Sequence, residues 1–542
     1  MRLPEVDAVV IGAGPNGLVA ANHLVDAGWT VLVLEAQPEP GGAVRSGEVT
    51  APGFVSDLFS AFYPLGFASP VIASLKLERY GLRWVNAPLV LAHPTLDGRC
   101  AVISRDIAET AASLEQYGAG DGAAWRRLYA DWQSLGPHII QALFTPFPPV
   151  RAGLRLAAAL RVAGAMRFIR FALLPVRRLA DEEFAGVGGG LLIAGNALHT
   201  DLAPEAAGST LYGWLLAMIG QQVGFPVPEG GAGQLTAALV RRLEEGGGRV
   251  ECDSPVASVV VRAGRAAAVR TADGREIAVR RAVLADVDAP QLYSALVGPE
   301  HLPPTLVEDV AKFQWDYSTV KVDWALRGPI PWTAADAARA GTVHLAADMD
   351  ELSRFATELA TDQVPAVPFV LVGQMTTTDP TRSPDGTESA WAYSHVPQRV
   401  RGDAGKDAIT GSWDERETAA YVGRIEDRVE QFAPGFKDLI VARYVQGPGD
   451  LERHDANLHR GALNGGTASL HQQLVFRPTP GLGRAETPVR GLFLASSSAH
   501  PGGGVHGGPG ANAARAALAE RRPGRRVLSA AVAAGGRFVR GD

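Results

Sequence analysis

The sequence predicts an α/β chain: a parallel, doubly wound sheet assembled from distant segments, with an α+β unit inserted between them. Three observations lead there. The apolar run from Val6 to Ile11 enters a glycine turn and then an alanine-rich helix. Near the other end, the run from Gly491 to Ala495 does the same through Gly502, Gly503 and Gly504. Between them, residues 245–289 alternate as a strand meander with a turn at Asp273–Gly274.

Size and composition set the frame. A chain of 542 residues exceeds one compact core, and about two to four domain-sized units are expected. Hydrophobic residues make up 46%, and the net charge is −6. Such a chain has ample core material and no global attraction for nucleic acid. The two cysteines, Cys100 and Cys252, lie in no metal-like or disulfide-framework spacing. A reducing compartment and no metal site are therefore expected. The N-terminal MRLPEVDAVVIGAG leads straight into the glycine turn rather than a signal peptide, so a cytoplasmic location is expected. The apolar runs near Ala157 and Leu173 are broken by Arg161, Arg167 and Arg170, so no bilayer-spanning helix is expected.

The N-terminal motif reads as a dinucleotide cradle. The turn carries Gly12, Gly14, Pro15, Asn16 and Gly17, and a second strand from Thr30 to Leu34 ends at Glu35. Strand, tight turn, helix, strand and acid follow at Rossmann spacing. Gly12 permits the turn, Gly14 lets the backbone approach a pyrophosphate, and Gly17 lets the helix pack on the sheet. The helix N-terminus offers free N–H groups and a positive dipole end. Glu35 is placed to accept hydrogen bonds from ribose hydroxyls and to repel a 2′-phosphate. Beyond Ala36 the chain reads Gly41, Gly42, Ala43 and then Arg45. The C-terminal motif, SSSAHPGGGVHGGPGANAARAALAE, begins a helix at Pro509, where a missing N–H costs nothing. Ser497, Gly504, Val505 and His506 lie in its loop, and His500 and His506 flank the three glycines.

The segment AHPGGGVHGGPGANAA closely resembles the C-terminal motif of the phytoene desaturase and carotenoid ketolase-like family. The N-terminal VIGAGPNGLVAANHL is similar to the same family, as are GFPVPEGGAGQLTAAL, TDPTRSPDGTESAWAYSHVP and NGGTASLHQQLVFRP. The resemblance covers most of the chain. It implies a Rossmann-like FAD-binding domain of the glutathione-reductase or amine-oxidase type, with a discontinuous α+β substrate domain. It implies FAD as the cofactor, with Gly41–Gly42 running beside the pyrophosphate and ribityl chain and the backbone of Val256 beside the adenine. Many relatives carry arginine directly after the paired glycines; here Ala43 stands there and Arg45 follows. The implied activity is hydride exchange between flavin N5 and an apolar, polyene- or isoprenoid-like substrate. Desaturase, oxidase and isomerase chemistries all fit. An amine oxidase-like enzyme and a non-catalytic lipid binder are the alternatives on this fold, and the intact glycine loops argue against the binder.

The expected organisation is FAD-binding segments at 1–88, 245–289 and 475–525, substrate segments at 89–244 and 290–474, and a tail at 526–542. Trp324, Trp391 and Tyr393 are candidates for an aromatic wall, with core packing as the plainer role. Residues 133–180 hold no Asp or Glu and carry Arg151, Arg155, Arg161, Arg167, Arg170, Arg177 and Arg178 among apolar residues. This stretch, chiefly 137–180, is a candidate for peripheral contact with an anionic membrane, or a helical lid with arginines reaching into water. VGGGLL near Gly188 lacks the pattern of a second dinucleotide turn, which leaves oxygen or a quinone as the expected electron acceptor. His500 and His506 are the candidate proton partners, with loop shaping as their alternative role.

Overall fold

The computed structural model describes residues 5–520, leaving aside the side chains of 159 and 161–163; the tail expected at 526–542 lies outside the described residues. In chain order, the first elements are β1 (Glu5–Ile11), α1 (Pro15–Asp26), β2 (Val31–Leu34), β3 (Leu89–Pro94) and β4 (Cys100–Ile103). A helical stretch follows with α2 (Asp121–Leu143), α3 (Val150–Leu173), α4 (Gly188–Leu198), α5 (Ser209–Val223) and α6 (Gly233–Glu245). The chain then forms β5 (Arg249–Glu251), β6 (Val256–Arg262), β7 (Arg265–Thr271) and β8 (Glu276–Ala285). Next come β9 (Ser318–Leu326), β10 (Ala340–Leu345), β11 (Val370–Gln374) and β12 (Glu388–Val396). The last elements are α7 (Glu415–Phe432), β13 (Ile440–Gln446), β14 (Leu492–Leu494) and α8 (Gly508–Ala519).

Two seven-stranded sheets organise these elements. The first has the order β6-β7-β8-β1-β2-β5, with β14 beside β8. β1 pairs in parallel with both β2 and β8, and β14 pairs in parallel with β8, so the chain's two ends share one sheet. Its centre is apolar on both faces, as a parallel sheet covered on both sides requires. Ala8 and Val10 face α1, α6 and α8, while Val9 and Ile11 face the opposite core. Helix α6 packs on α1 through Leu235, Ala238, Leu239 and Leu243. It therefore sits with the first sheet, although the sequence reading assigned residues up to 244 to the substrate segment. Its heptad-like apolar stripe does not encode which sheet it covers.

The second sheet runs β13-β9-β12-β11-β10-β3-β4. Its strands other than the edge strand β13 are buried on both faces, and period-2 alternation divides their side chains. Val320, Val322 and Trp324 of β9 join Ala390 and Ala392 of β12 in a core closed by Tyr421, Ile425 and Phe432 of α7. Trp391 faces the other way, toward a core built with α2, α4 and α5, and Tyr393 packs against that core. Trp324 and the Trp391–Tyr393 pair thus lie on opposite faces, and Trp324 is a core residue packed edge-on against Phe436 at 4.9 Å.

A buried arginine ties the segment between β11 and β12 to residues 55–57. Arg382, 0% exposed, donates from Nη2 to Asp57 Oδ2 at 2.6 Å, from Nε to Asp379 Oδ2 at 3.0 Å, and from Nη1 to Val55 O at 3.2 Å. Asp57 also accepts from Ala232 N–H and Ser46 Oγ, both at 2.7 Å. Removing one member leaves the others as buried, unpaired charge. Arg382→Ala is expected to cost about 3–5 kcal/mol, seen as a lowered thermal melting point and faster proteolysis; an unchanged melting point refutes this role.

Candidate cofactor and active site

The N-terminal cradle is built by contacts too close for any side chain. β1 ends at Ile11 and Gly12 turns at φ +92°. A Cβ on Gly17 would lie 2.2 Å from Gly12 O, so only glycine brings α1 this near the turn. α1 starts at Pro15, which lacks the N–H that position cannot use. Gly17 N–H donates to Asp286 Oδ2 at 2.7 Å, so the acid following β8 caps α1. Ala13 N–H donates to Glu35 Oε2 at 2.7 Å and Gln37 N–H to Oε1 at 2.9 Å. Glu35 therefore braces the turn from the end of β2, and each oxygen keeps a lone pair for a ribose hydroxyl. Ala36 is exposed beside it. Ser254 N–H donates to Glu35 O at 2.8 Å, which sets Val256, at the start of β6, near the same acid.

The paired glycines fold over this turn. Gly41 N–H donates to Ala13 O at 2.9 Å, and a Cβ on Gly42 would lie 3.2 Å from Gly14 Cα. Ala43 O accepts from Ser60 Oγ at 2.6 Å. Arg45 donates to Gly42 O at 3.0 Å and to His454 O at 2.8 Å, and pairs with Glu39 at 3.3 Å. Arg45 is thus committed to holding the loop.

Asp286 and Asp455 flank the cradle, and both would repel a diphosphate if ionised. Burial pushes Asp286 up to about 8 and Asp455 up to about 6. Asp286 is therefore mostly neutral near neutral pH, and an added phosphate charge would raise it further. The buried Asn16 Oδ1 beside it has no hydrogen-bond partner. Close backbone, a helix N-terminus, a ribose acid and a largely neutral Asp286 fit a dinucleotide.

The C-terminal loop closes on the same place. Gly502 and Gly504 have φ of +111° and +97° and lead into α8. A Cβ on Gly510 would lie 2.0 Å from Asn16 O, and one on Gly507 would lie 2.9 Å from Val19. The first turns of α1 and α8 thus lie side by side, and their N-termini open toward one cleft. A Cβ on Gly504 would lie 3.3 Å from Leu65, and one on Gly66 would lie 2.8 Å from Val505 O. The loop thereby leans on Leu65 and Gly66.

From Phe62 an aromatic shelf leads to the second sheet. The Phe62 and Trp391 centroids are 6.0 Å apart, and Trp391 stacks on Tyr393 at 5.8 Å and 21°. Tyr393 OH lies 3.1 Å from His199 Nδ1, and His199 Nε2 lies 3.0 Å from His344 Nε2. His395 Nε2 faces Asp201 Oδ1 at 3.2 Å, off the line of a hydrogen bond. Burial lowers His199 to about 3 and His395 to about 4, and raises Asp201, so these groups are neutral. Lys321 and Asp323 form a buried ion pair on the same face of β9.

His500 and His506 are placed differently from each other. His506 Nδ1 accepts from Gly508 N–H at 3.1 Å, and Nε2 donates to Gly503 O at 3.2 Å. Both ring nitrogens shape the loop. His500 packs edge-on against Phe147 at 6.1 Å and lines a cavity of about 50 Å³ with Asn512 and Arg515. Burial holds both near 4. Ser497 presents its carbonyl to Arg477 at 2.7 Å. Sequence reasoning missed Asp286, Asp455, Lys321, Asp323, His199, Asp201, His395 and Arg477. One signal was available: Lys321 and Asp323 share a strand face inside the apolar run STVKVDWAL.

Comparisons with known proteins agree with this architecture. Residues 10–73 match the family model described as NAD(P)-binding Rossmann-like domain. The chain is 29% identical to pyridine nucleotide-disulfide oxidoreductase domain-containing protein 2 of Mus musculus, covering 94% of this chain and 93% of that protein. It is 26% identical to the lycopene-forming phytoene desaturase of Pseudescherichia vulneris, covering 92% and 96% respectively. Among solved structures, it is similar to putrescine oxidase bound to putrescine, with a TM-score of 0.60 at 17% identity over 95% of this chain and 99% of that one. The fold is that of FAD-dependent oxidoreductases, and these likenesses indicate FAD as the cofactor.

Two outcomes follow. Gly510→Val forces α8 away from Asn16, so the purified variant should lose most of its bound flavin; wild-type flavin content would refute the packing argument. Asp286 is raised from 3.8 to about 8 in the folded state, so unfolding releases a proton and apoprotein stability falls as pH rises across that window. Asp286→Asn removes this slope, so it should melt above wild type at pH near 8, with the gap closing near pH 4. Parallel melting curves for both proteins would contradict the assignment.

Proposed function

We propose that the chain is an FAD-dependent oxidoreductase acting on an apolar, polyene- or isoprenoid-like substrate drawn from a membrane surface. The observation that carries the reading is the aromatic shelf Phe62–Trp391–Tyr393, which leads from the Gly504 loop into the second sheet's buried face. Bound in the cleft, FAD supplies a two-electron acceptor for a hydride. The N-terminus of α1 would hold the diphosphate, and that of α8 would favour negative charge on the ring. Phe62, Trp391 and Tyr393 exclude water and orient an extended apolar chain. His395 Nε2, which has no hydrogen-bond partner and is kept neutral by burial, is the candidate to take the one proton lost beside the carbon that gives up the hydride. Gly188, Gly189 and Gly190 lie inside α4 rather than in a nucleotide turn, which supports oxygen or a quinone as electron acceptor.

Helix α3 supports the membrane source. Val150, Leu154, Met166, Ile169 and Leu173 are between 51% and 66% exposed on it, while Arg151, Arg155, Arg167 and Arg170 are exposed among them. Arg170 pairs with Glu182 beyond the helix, and Arg151, Arg155 and Arg167 among these apolar residues suit an anionic lipid surface. Among the described residues no helix is long and apolar enough to cross a membrane, so the contact proposed is peripheral.

Anaerobic mixing of the holoprotein with a polyene in detergent should bleach the visible flavin band, whereas simple alkylamines should not. Bleaching by amines alone would reassign the enzyme to amine oxidation, and a purified protein that takes up no FAD would refute the reading outright. In sedimentation, the protein should accompany phosphatidylglycerol vesicles and leave neutral phosphatidylcholine vesicles, with Leu154→Glu/Ile169→Glu weakening the contact at least tenfold. Equal partition with both vesicle types would remove the proposed surface.

A further inference from the structure

Behind the C-terminal glycine loop lies a buried guanidinium with no carboxylate in contact. Arg477 is 1% exposed. Nη2 donates to Ser497 O at 2.7 Å and Asn464 O at 2.9 Å, Nε to Ser497 O at 3.0 Å, and Nη1 to Thr467 O at 3.1 Å. Every hydrogen-bond acceptor recorded for it is a backbone carbonyl. Gly502 packs on it, since a Cβ there would lie 3.4 Å from both Cζ and Nε. The acid that senses it, Asp316, lies across the segment 463–467. Asp316 Oδ2 accepts from Leu463 and Asn464 N–H at 2.6 and 2.8 Å, and Oδ1 accepts from Gly466 N–H at 3.1 Å. The acid takes the N–H groups of that segment and Arg477 takes its carbonyls. Burial pushes the Asp316 carboxyl up toward its neutral form, which weakens it as a counter-ion. Burial lowers Arg477 only to about 10, so it remains a cation at neutral pH.

A buried cation is unfavourable unless an opposite charge or aligned dipoles offset it. The carbonyls of Asn464, Gly465, Gly466, Thr467 and Ser497 offset part of the cost, and the remaining field reaches the loop against which the cation packs. Hydride transfer delivers two electrons and one proton, so the flavin gains one negative charge as the substrate loses a hydride. We propose that Arg477 is the counter-charge for that developing anion: a positioning residue that acts through Ser497 and Gly502 and raises the reduction potential of the bound flavin. This rests on the reading that the cleft holds FAD and adds what tunes it.

The test compares wild-type holoprotein with Arg477→Lys and Arg477→Met by reductive titration against a redox dye. Arg477→Met should lose at least tenfold in preference for reduced over oxidised flavin, which lowers the potential by about 30 mV for a two-electron couple; Arg477→Lys should retain most of the wild-type value. A flavin-loaded Arg477→Met with wild-type potential would overturn the proposal and leave Arg477 as a staple of the loop. Should Arg477→Met fold without flavin, sulfite titration of wild type and Arg477→Lys decides instead. Sulfite bonds to ring N5 through its sulfur lone pair and leaves the same negative charge on the ring. Bleaching of both proteins, reversed on dilution, supports the counter-charge, and absence of bleaching in wild type overturns it. A wild type that takes up no FAD refutes the preceding reading, an outcome distinct from either result here.

Discussion

The fold depends on two helix starts pressed together. α1 begins near residue 15 and α8 near residue 508, yet a Cβ on Gly510 would stand 2.0 Å from Asn16 O. This contact requires β14 beside β8 and β8 beside β1, all parallel, so that both following helices leave the sheet on the same side. Parallel strands demand long crossovers. The intervening chain forms the second sheet and its helices, which makes the insertion a consequence of the topology. Two positive helix ends converge where one dinucleotide's charges would gather.

Convergence on the cleft concentrates buried polar groups, and the molecule manages them by neutralisation more often than by ion pairing. Asp286, Asp455 and Asp201 are pushed up by burial, and His199, His395 and His506 are pushed down. Each direction favours the uncharged form. Backbone N–H groups then serve as the partners. Gly17 donates to Asp286, and Leu463, Asn464 and Gly466 donate to Asp316. Direct charge pairing also occurs, as in Arg382 and Lys321, which fasten strands and segments to one another.

The cradle was legible because its chemistry is local in sequence: Gly12, Gly14, Gly17 and Glu35 fall within one strand-turn-helix-strand unit. The C-terminal loop was legible for the same reason, since glycine density reports close approach whatever is approached. The remaining site residues were not. Asp286 caps α1 across 269 residues of sequence, and an isolated Asp after a strand has no distinguishing spacing. His199, His344 and His395 meet through two strands and a helix, a juxtaposition set by sheet register. The aromatic wall was half legible: Trp324, Trp391 and Tyr393 are all buried or nearly so, but only register shows that Trp324 turns away. Helix α6 was grouped with the wrong sheet because its apolar stripe encodes burial without naming the partner.

The polar groups behind the aromatic shelf are at odds with the proposed apolar substrate until their charges are counted by position. On the second-sheet side, histidines and Asp201 are held uncharged, and Lys321 is matched by Asp323 on its own strand. An apolar chain beside such groups would meet little field, although His395 Nε2 keeps no hydrogen-bond partner. On the glycine-loop side, Arg477 and two helix N-termini leave positive potential in place, with the nearby acids pushed toward neutrality. The asymmetry matters for hydride chemistry. A flat electrostatic environment leaves an uncharged C–H donor undisturbed in its ground state, while positive potential on the accepting side acts only as negative charge arrives there. For the proposed hydride transfer, such an arrangement would bind the transition state better than the substrate, which is the condition for acceleration. It is set by backbone amides and one guanidinium, groups that need no reorganisation as the charge moves.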